Sequence, residues 1–169
     1  MRSGLEENLL SGIPFFMGDI LDPINLVPAM EGVDTIIHLG SLKAAGESMI
    51  EPEKYTKNNL NGTINLLNVA TQANVKNFIF SSSAAVYGDP QYLPMDELHP
   101  TRPINFYGYT KLAIENLLVW YSKLRNLRFC SLRYFNAAGY DIDGELMGLE
   151  QNPNNLIPIV LETVMGKRK

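Results

Sequence analysis

The chain has 169 residues, 46% of them apolar and 19% charged, with a formal net charge of −4 at neutral pH. This length is enough for one domain with a hydrophobic core, and the composition is too apolar for a disordered chain. Because basic residues do not dominate the charge, nucleic acid is not an expected partner. The single cysteine, Cys130, favours a reducing cytoplasmic compartment, and no apolar run reaches the roughly 18 residues of a membrane-spanning helix or resembles a signal peptide.

Strand and helix patterns alternate along the chain. In chain order the sequence predicts a helix over 23–30, a strand over 33–40, a helix over 52–73, a strand over 75–82, a helix over 105–123, a strand over 127–134 and a helix over 155–165. The strands are short, rich in β-branched or aromatic residues and end in small or polar ones, which is typical of strands buried on both faces of a parallel sheet. Cys130 and His38 are therefore interpreted as core residues, and no metal site is expected.

This alternation predicts an α/β fold with a right-handed, doubly wound parallel sheet. Ligands of such sheets bind outside the carboxyl ends of the strands. The site is therefore expected in the segments that follow the three strands, at 40–43, 81–88 and 135–139.

Two patterns near these segments could carry chemistry. Tyr107 and Lys111 are four residues apart on one helix face, where an ammonium lowers the pKa of a phenol and allows it to act as a general base. Taken alone, the pattern is more often an ordinary helical pair. The serines 81–83 end a predicted strand and could bind or relay a proton from a sugar hydroxyl, although a Ser-rich turn is the simpler interpretation.

Taken together, segments 80–88 and 107–111 resemble the extended short-chain dehydrogenase/reductase superfamily. Within it they resemble the UDP-glucose 4-epimerase (UDP-galactose 4-epimerase) family, and further segments agree in order and spacing: 18–20, 42–48, 58–63, 132–136 and 153–156. The resemblance implies an NAD-binding Rossmann-like domain and NAD-dependent interconversion of UDP-galactose and UDP-glucose by transient oxidation at C4.

The resemblance also implies roles for individual residues. Ser83, Tyr107 and Lys111 would be catalytic: Ser83 and Tyr107 touch the sugar hydroxyl, and Lys111 binds the nicotinamide ribose and tunes Tyr107. NAD would contact these three and a larger set: Asp19, Ile20, Leu39, Gly40, Ser41, Leu42, Lys43, Asn58 and Phe135. The UDP-sugar would contact Lys43, Ser83, Tyr107, Asn136, Asn155 and Leu156. A homodimer would form through the helices at 52–73 and 105–123.

The chain departs from this family in two ways. It contains no G-x-x-G-x-x-G turn, and family members continue past the position of Lys169 into a smaller substrate domain. We therefore expect an internal fragment, a partial NAD-binding domain over 1–169 in which residues 152–169 begin the substrate-binding region. Alone, it is expected to be inactive and not to retain NAD, because the Gly-rich turn holds the pyrophosphate.

Four other functions are alternatives for a chain with these motifs. A sugar-nucleotide 4,6-dehydratase would have Asp and Glu where this chain has Ala84 and Ala85, and two alanines cannot supply the acid and base for elimination. A UDP-N-acetylglucosamine 4-epimerase, a catalytically silent protein of the same fold and a simple hydride-transferring reductase stay open, and consumption of NADH with substrate would reveal the reductase.

Overall fold

The structure is a computed structural model that describes residue 9, residues 12–137, residues 139 and 143, and residues 156–168. Met17–Phe135 form one unit, which contains the sheet, and Met1–Phe16 with Asn136–Lys169 form another. In the second unit, a helix at Leu156–Val164, here α6, matches the predicted helix over 155–165.

The sheet has three parallel strands. They are adjacent in the order of the chain: β1 (Thr35–His38), β2 (Asn77–Ser83) and β3 (Arg128–Tyr134). Parallel neighbours require long crossover connections, and helices make both of them, as the alternation predicted. Ser83 of β2 pairs with Tyr134 of β3, so the carboxyl ends of these two strands lie at one edge.

Apart from α2, which was not predicted from the sequence, the helices of this unit lie close to the predicted positions. They are α1 (Pro23–Leu26), α2 (Ala45–Ser48), α3 (Pro52–Tyr55), α4 (Gly62–Gln72) and α5 (Phe106–Arg125). Short 3₁₀ turns cover Pro28–Met30 and Ala84–Val86, and a π-helical segment, Thr56–Asn61, connects α3 to α4. No helix in the described part of the chain is long and apolar enough to cross a membrane.

Helix α5 has well-defined caps at both ends. At its start, the Asn105 side chain accepts a hydrogen bond from the Gly108 N–H at 2.8 Å. At its end, Asn126 takes a left-handed conformation and its N–H bonds back to the Ser122 carbonyl. The helix therefore runs two residues beyond the predicted Lys123, because the stop signal is Asn126.

The hydrophobic core lies on one face of the sheet. Phe78 and Phe80 of β2 are buried against Leu67 of α4 and against Ile114 and Leu118 of α5. Both helices thus cover the same face. Their burial removes from water the apolar area that drives folding of this unit.

The expected burial of all three strands on both faces is wrong for the described residues. Ile37, Cys130, Leu132 and Tyr134 are exposed, and β3 alternates between exposed and half-buried positions along its length. Successive side chains of a strand point to opposite faces, and within residues 12–137 the two long helices lie on only one of them. Cys130 is consequently not a core residue here.

Candidate active site

The side chains of Tyr107 and Ser83 lie close enough together for the Ser83 hydroxyl to influence the pKa of the Tyr107 phenol. Tyr107 lies in the first turn of α5, and Ser83 is the last residue of β2. Burial raises the pKa of the Tyr107 phenol, and the Ser83 hydroxyl acts in the opposite direction. The structure therefore brings together the two patterns that were 24 residues apart in sequence.

Lys111 follows Tyr107 by one helical turn and is 2% exposed. Its Nζ donates a hydrogen bond to the Ser81 carbonyl oxygen at 2.7 Å and lies 5.7 Å from the centroid of the Tyr107 ring. Burial lowers the pKa of Lys111 to about 8. The Tyr107 pKa is not lowered as this pair predicted, because burial of the phenol is the largest influence on that pKa and raises it.

Two close contacts hold the start of α5, one with α2 and one with the turn that follows β2. The Ser48 hydroxyl accepts a hydrogen bond from the Tyr107 N–H at 2.9 Å. A Cβ added at Gly108 would lie 2.5 Å from the Ala85 carbonyl oxygen, a separation that real Cβ atoms do not adopt. Glycine at position 108 therefore lets Tyr107 approach Ser83.

The segment that follows β1 carries five of the predicted cofactor contacts. Leu39, Gly40 and Lys43 are exposed, whereas Ser41 and Leu42 are half-buried. Exposed backbone beside an apolar side chain at the end of a parallel strand is the kind of surface on which dinucleotides bind.

This segment is fastened by Asn59, which sequence reasoning missed. The Asn59 side chain accepts from the Leu42 N–H at 2.9 Å and donates to the Leu42 carbonyl at 3.0 Å, and its amide also reaches Thr110 of α5. Asn59 is 1% exposed, whereas the predicted contact Asn58 is half-buried beside it. Asn59 lies in a series of buried helical residues spaced four apart, after Tyr55 and before Thr63. A polar residue in such a series needs a hydrogen-bond partner, and this was the signal that could have identified Asn59.

The remaining predicted residues of this unit lie at separate places. Asp19 is exposed and its carboxylate accepts from the Leu21 N–H at 2.9 Å. Ile20 packs so closely on Gly62 that a Cβ there would lie 2.5 Å from the Ile20 side chain. Phe135, just after β3, is 59% exposed, with its ring centroid 6.5 Å from that of Tyr87.

The last three predicted residues belong to the second unit. Asn136 and Leu156 are exposed there, and Asn155 lies outside the described residues. Their roles toward a UDP-sugar stay predictions.

His38 is buried at the end of β1 and serves the core, as expected. Its Nε2 is 2.9 Å from the Thr63 hydroxyl oxygen, and its ring stacks on Phe80, with centroids 5.9 Å apart. Burial and the nearby Lys111 charge lower the pKa of His38 to about 4, so the ring is neutral at physiological pH.

A comparison with protein families decides the class of this chain. The model of the NAD dependent epimerase/dehydratase family matches residues 2–168. The chain belongs to this family. Its parallel sheet and the Tyr107–Ser83 pair at the sheet edge agree with that membership, and the Rossmann-like fold predicted from sequence is confirmed.

Similar proteins and structures are 4-epimerases. The UDP-glucose 4-epimerase of Halalkalibacterium halodurans is 42% identical over 163 residues, which cover 95% of this chain and 48% of that protein. The crystal structure of UDP-glucose 4-epimerase from Brucella ovis in complex with NAD has a TM-score of 0.93 and 41% identity, over 98% of this chain and 51% of that one. The UDP-Glc/GlcNAc 4-epimerase of Campylobacter jejuni has a TM-score of 0.78 and 37% identity, over 94% and 49% of the two chains. The chain thus spans about half the length of the relatives it matches.

Proposed function

We propose that this chain supplies the catalytic part of a sugar-nucleotide 4-epimerase that interconverts UDP-galactose and UDP-glucose. The observation that carries the proposal is the placement of Tyr107 beside Ser83, with Lys111 buried one turn further along the same helix and its Nζ 5.7 Å from the Tyr107 ring centroid. The relatives named UDP-glucose 4-epimerase support the choice of substrate.

Epimerisation at C4 requires a proton acceptor placed as Tyr107 is. Inversion at an unactivated carbinol carbon requires a ketone, so the 4-hydroxyl must lose a proton and later regain it. Tyr107, as phenolate, accepts that proton directly or through the Ser83 hydroxyl, which can accept and donate at once. The Ser83 hydroxyl stabilises the phenolate, and the charged form of Lys111 nearby favours it further.

NAD is the cofactor of this proposal, and bound NAD supplies a reversible hydride acceptor. The residues present fit it: segment 39–43, which is partly exposed and anchored by Asn59, offers backbone groups and the apolar Leu39. Asp19, Ile20 and Asn58 would hold the remainder of the dinucleotide, and Lys111 and Phe135 would border its nicotinamide end.

N-acetylated UDP-sugars are the second candidate substrates. The structural similarity to the UDP-Glc/GlcNAc 4-epimerase of Campylobacter jejuni favours them over substrates of other reaction classes. A 4,6-dehydratase is disfavoured, because Ala84 and Ala85 follow Ser83 and neither has an acid or base.

The proposal includes a homodimer formed through the helices at 52–73 and 105–123. The outer surface of α5 supports it, because Tyr109, Trp120 and Leu124 are all more than half exposed. Such apolar residues on one helix are typical of an interface. Sedimentation of the protein with and without Trp120→Glu tests it, and a protein that is monomeric before substitution contradicts it. The cytoplasmic location stays a prediction from the sequence.

The test uses the product of the complete reading frame that contains this sequence, here called the complete protein. We expect it to convert UDP-galactose to UDP-glucose, and Tyr107→Phe to lower kcat by about a thousandfold while NAD binding is retained, because only the proton acceptor is lost. Tyr109→Phe is the matched control, since Tyr109 is exposed. A harmless Tyr107→Phe would overturn the assignment, and parallel assays with UDP-N-acetylgalactosamine separate the two candidate substrates.

A further inference from the structure

Three successive serines at the end of β2 are each held by a different residue of α5. Tyr107 lies beside Ser83, and Lys111 donates a hydrogen bond to the Ser81 carbonyl. The third contact comes one turn further on, where Glu115 accepts a hydrogen bond from the Ser82 hydroxyl at 2.5 Å. Residues at this spacing share one face of the helix, so a single row of side chains holds the strand end.

The contact between Glu115 and Ser82 is buried and further fixed by Arg133. Glu115 is 7% exposed and Ser82 is 3% exposed. Arg133 donates to both carboxylate oxygens of Glu115, from Nε at 3.0 Å and from Nη2 at 2.7 Å. This fork geometry fixes the carboxylate in orientation as well as position.

Arg133 ties the same anchor to the neighbouring strand. It pairs with Ser82 across the β2–β3 ladder, so the carboxylate is held by residues opposite each other on two strands. Its guanidinium carbon also lies 4.9 Å from the centroid of the Tyr87 ring. Because Glu115 has two partners, it links α5 to both strands that end at the candidate site.

We infer that Glu115, held by Arg133, is a positioning residue that sets the end of β2 through Ser82, so that the Ser83 hydroxyl stays beside the Tyr107 phenol. Glu115 itself does not touch the reacting groups of the proposed function, on which this inference rests. Ser82 and Ser83 are consecutive in β2. A displacement of Ser82 therefore also displaces the Ser83 hydroxyl.

The primary test variant is Ser82→Ala in the complete protein, because it removes the anchor without changing charge. The Ser83 hydroxyl lowers the pKa of Tyr107, so its displacement raises that pKa. Tyrosinate absorbance is titrated in each protein and in the same protein carrying Tyr107→Phe, and the difference gives the Tyr107 midpoint. We expect Ser82→Ala to move this midpoint to higher pH.

A second variant, Glu115→Gln, separates positioning from charge. The amide can accept from Ser82 but cannot accept two hydrogen bonds from Arg133. Loss of a negative charge alone would lower the Tyr107 pKa, whereas displacement of Ser83 raises it. An upward shift in both variants therefore reports displacement. Asn116→Ala, at the exposed position next to Glu115, is the matched control and should leave the midpoint unchanged.

Kinetics provides the second measurement. We expect both variants to lower kcat by about tenfold to a hundredfold, with KM for UDP-galactose within about twofold of the original, because only the geometry at the reacting hydroxyl changes. An unmoved Tyr107 midpoint in a folded Ser82→Ala protein overturns the inference, as does a loss of thermal stability with no shift of the midpoint. If the unsubstituted protein has no epimerase activity, the proposed function fails, and the titration still decides the positioning role.

Discussion

Gly108 and the Ala85 carbonyl oxygen lie so close that a Cβ at position 108 would be 2.5 Å from that oxygen. Gly108 follows Tyr107 directly, and Ala85 lies two residues after Ser83. The contact therefore sets how closely the first turn of α5 approaches the end of β2, and with it the placement of Tyr107 beside Ser83.

The first prediction concerns this contact. Gly108→Ala should lower the free energy of unfolding by about 2 kcal/mol, because α5 must move away from a backbone atom that cannot yield. It should also lower kcat, because Tyr107 moves with the helix. Gly46→Ala is the control, since a Cβ there has no atom within 4 Å. Chemical denaturation and turnover measure both effects, and equal behaviour of the two variants would refute the steric argument.

The second prediction concerns the charge of Lys111. In the complete protein, Lys111→Met should slow turnover and move the rising limb of the kcat profile to higher pH, because the phenolate of Tyr107 loses a cation whose Nζ lies 5.7 Å from its ring centroid. The side-chain stem is kept, so packing changes little. A pH series of initial rates provides the measurement, and a profile that slows without shifting would count against an electrostatic role.

The third prediction concerns the anchor of the segment after β1. Asn59→Ala removes both hydrogen bonds to Leu42 and should weaken NAD binding by about tenfold, which corresponds to roughly 1.4 kcal/mol, because the segment must be ordered on binding. Asn61→Ala, at an exposed position two residues later, should leave affinity unchanged. Calorimetric titration with NAD compares the two. Unaltered affinity in the Asn59 variant would contradict the proposed role of this segment.

The fourth prediction concerns acid stability. The pKa of His38 is 6.5 in its ordinary state and about 4 when buried here, so between these values the unfolded chain binds a proton that the folded chain does not. Stability from this group therefore rises with pH from about 4 to 6.5 and is lost on acidification, by on the order of 3 kcal/mol. His38→Gln should flatten the fall of the unfolding temperature across this range. A curve that keeps its original steepness would mean that other groups dominate.

Local sequence pattern predicted most of the fold. Each strand appears as a short apolar run, and α5 as a long amphipathic segment that Asn105 caps at its start. The Tyr107–Lys111 pair was predictable because four-residue spacing on a helix fixes which side chains share a face. The position of the serines at the sheet edge was predictable because the carboxyl ends of parallel strands meet at one edge of a sheet.

Contacts between distant residues could not be predicted in this way. Asn59 is 17 residues from Leu42, and Glu115 is 33 residues from Ser82, so no local spacing indicates either hydrogen bond. The sequence also left open which face of each strand the helices cover, and this decided that Cys130 is exposed rather than buried.

The sequence by itself thus determined the types and order of the elements and the chemical groups at the end of β2. Only the tertiary structure decided how these groups are held. The contacts of Tyr107, Lys111 and Glu115 with the serines form only when α5 packs against β2. The physical reason is that helix and strand periodicity arise from backbone geometry over a few residues. Burial, which sets the pKa of Tyr107 and Lys111, arises from the packing of segments that are remote in the chain.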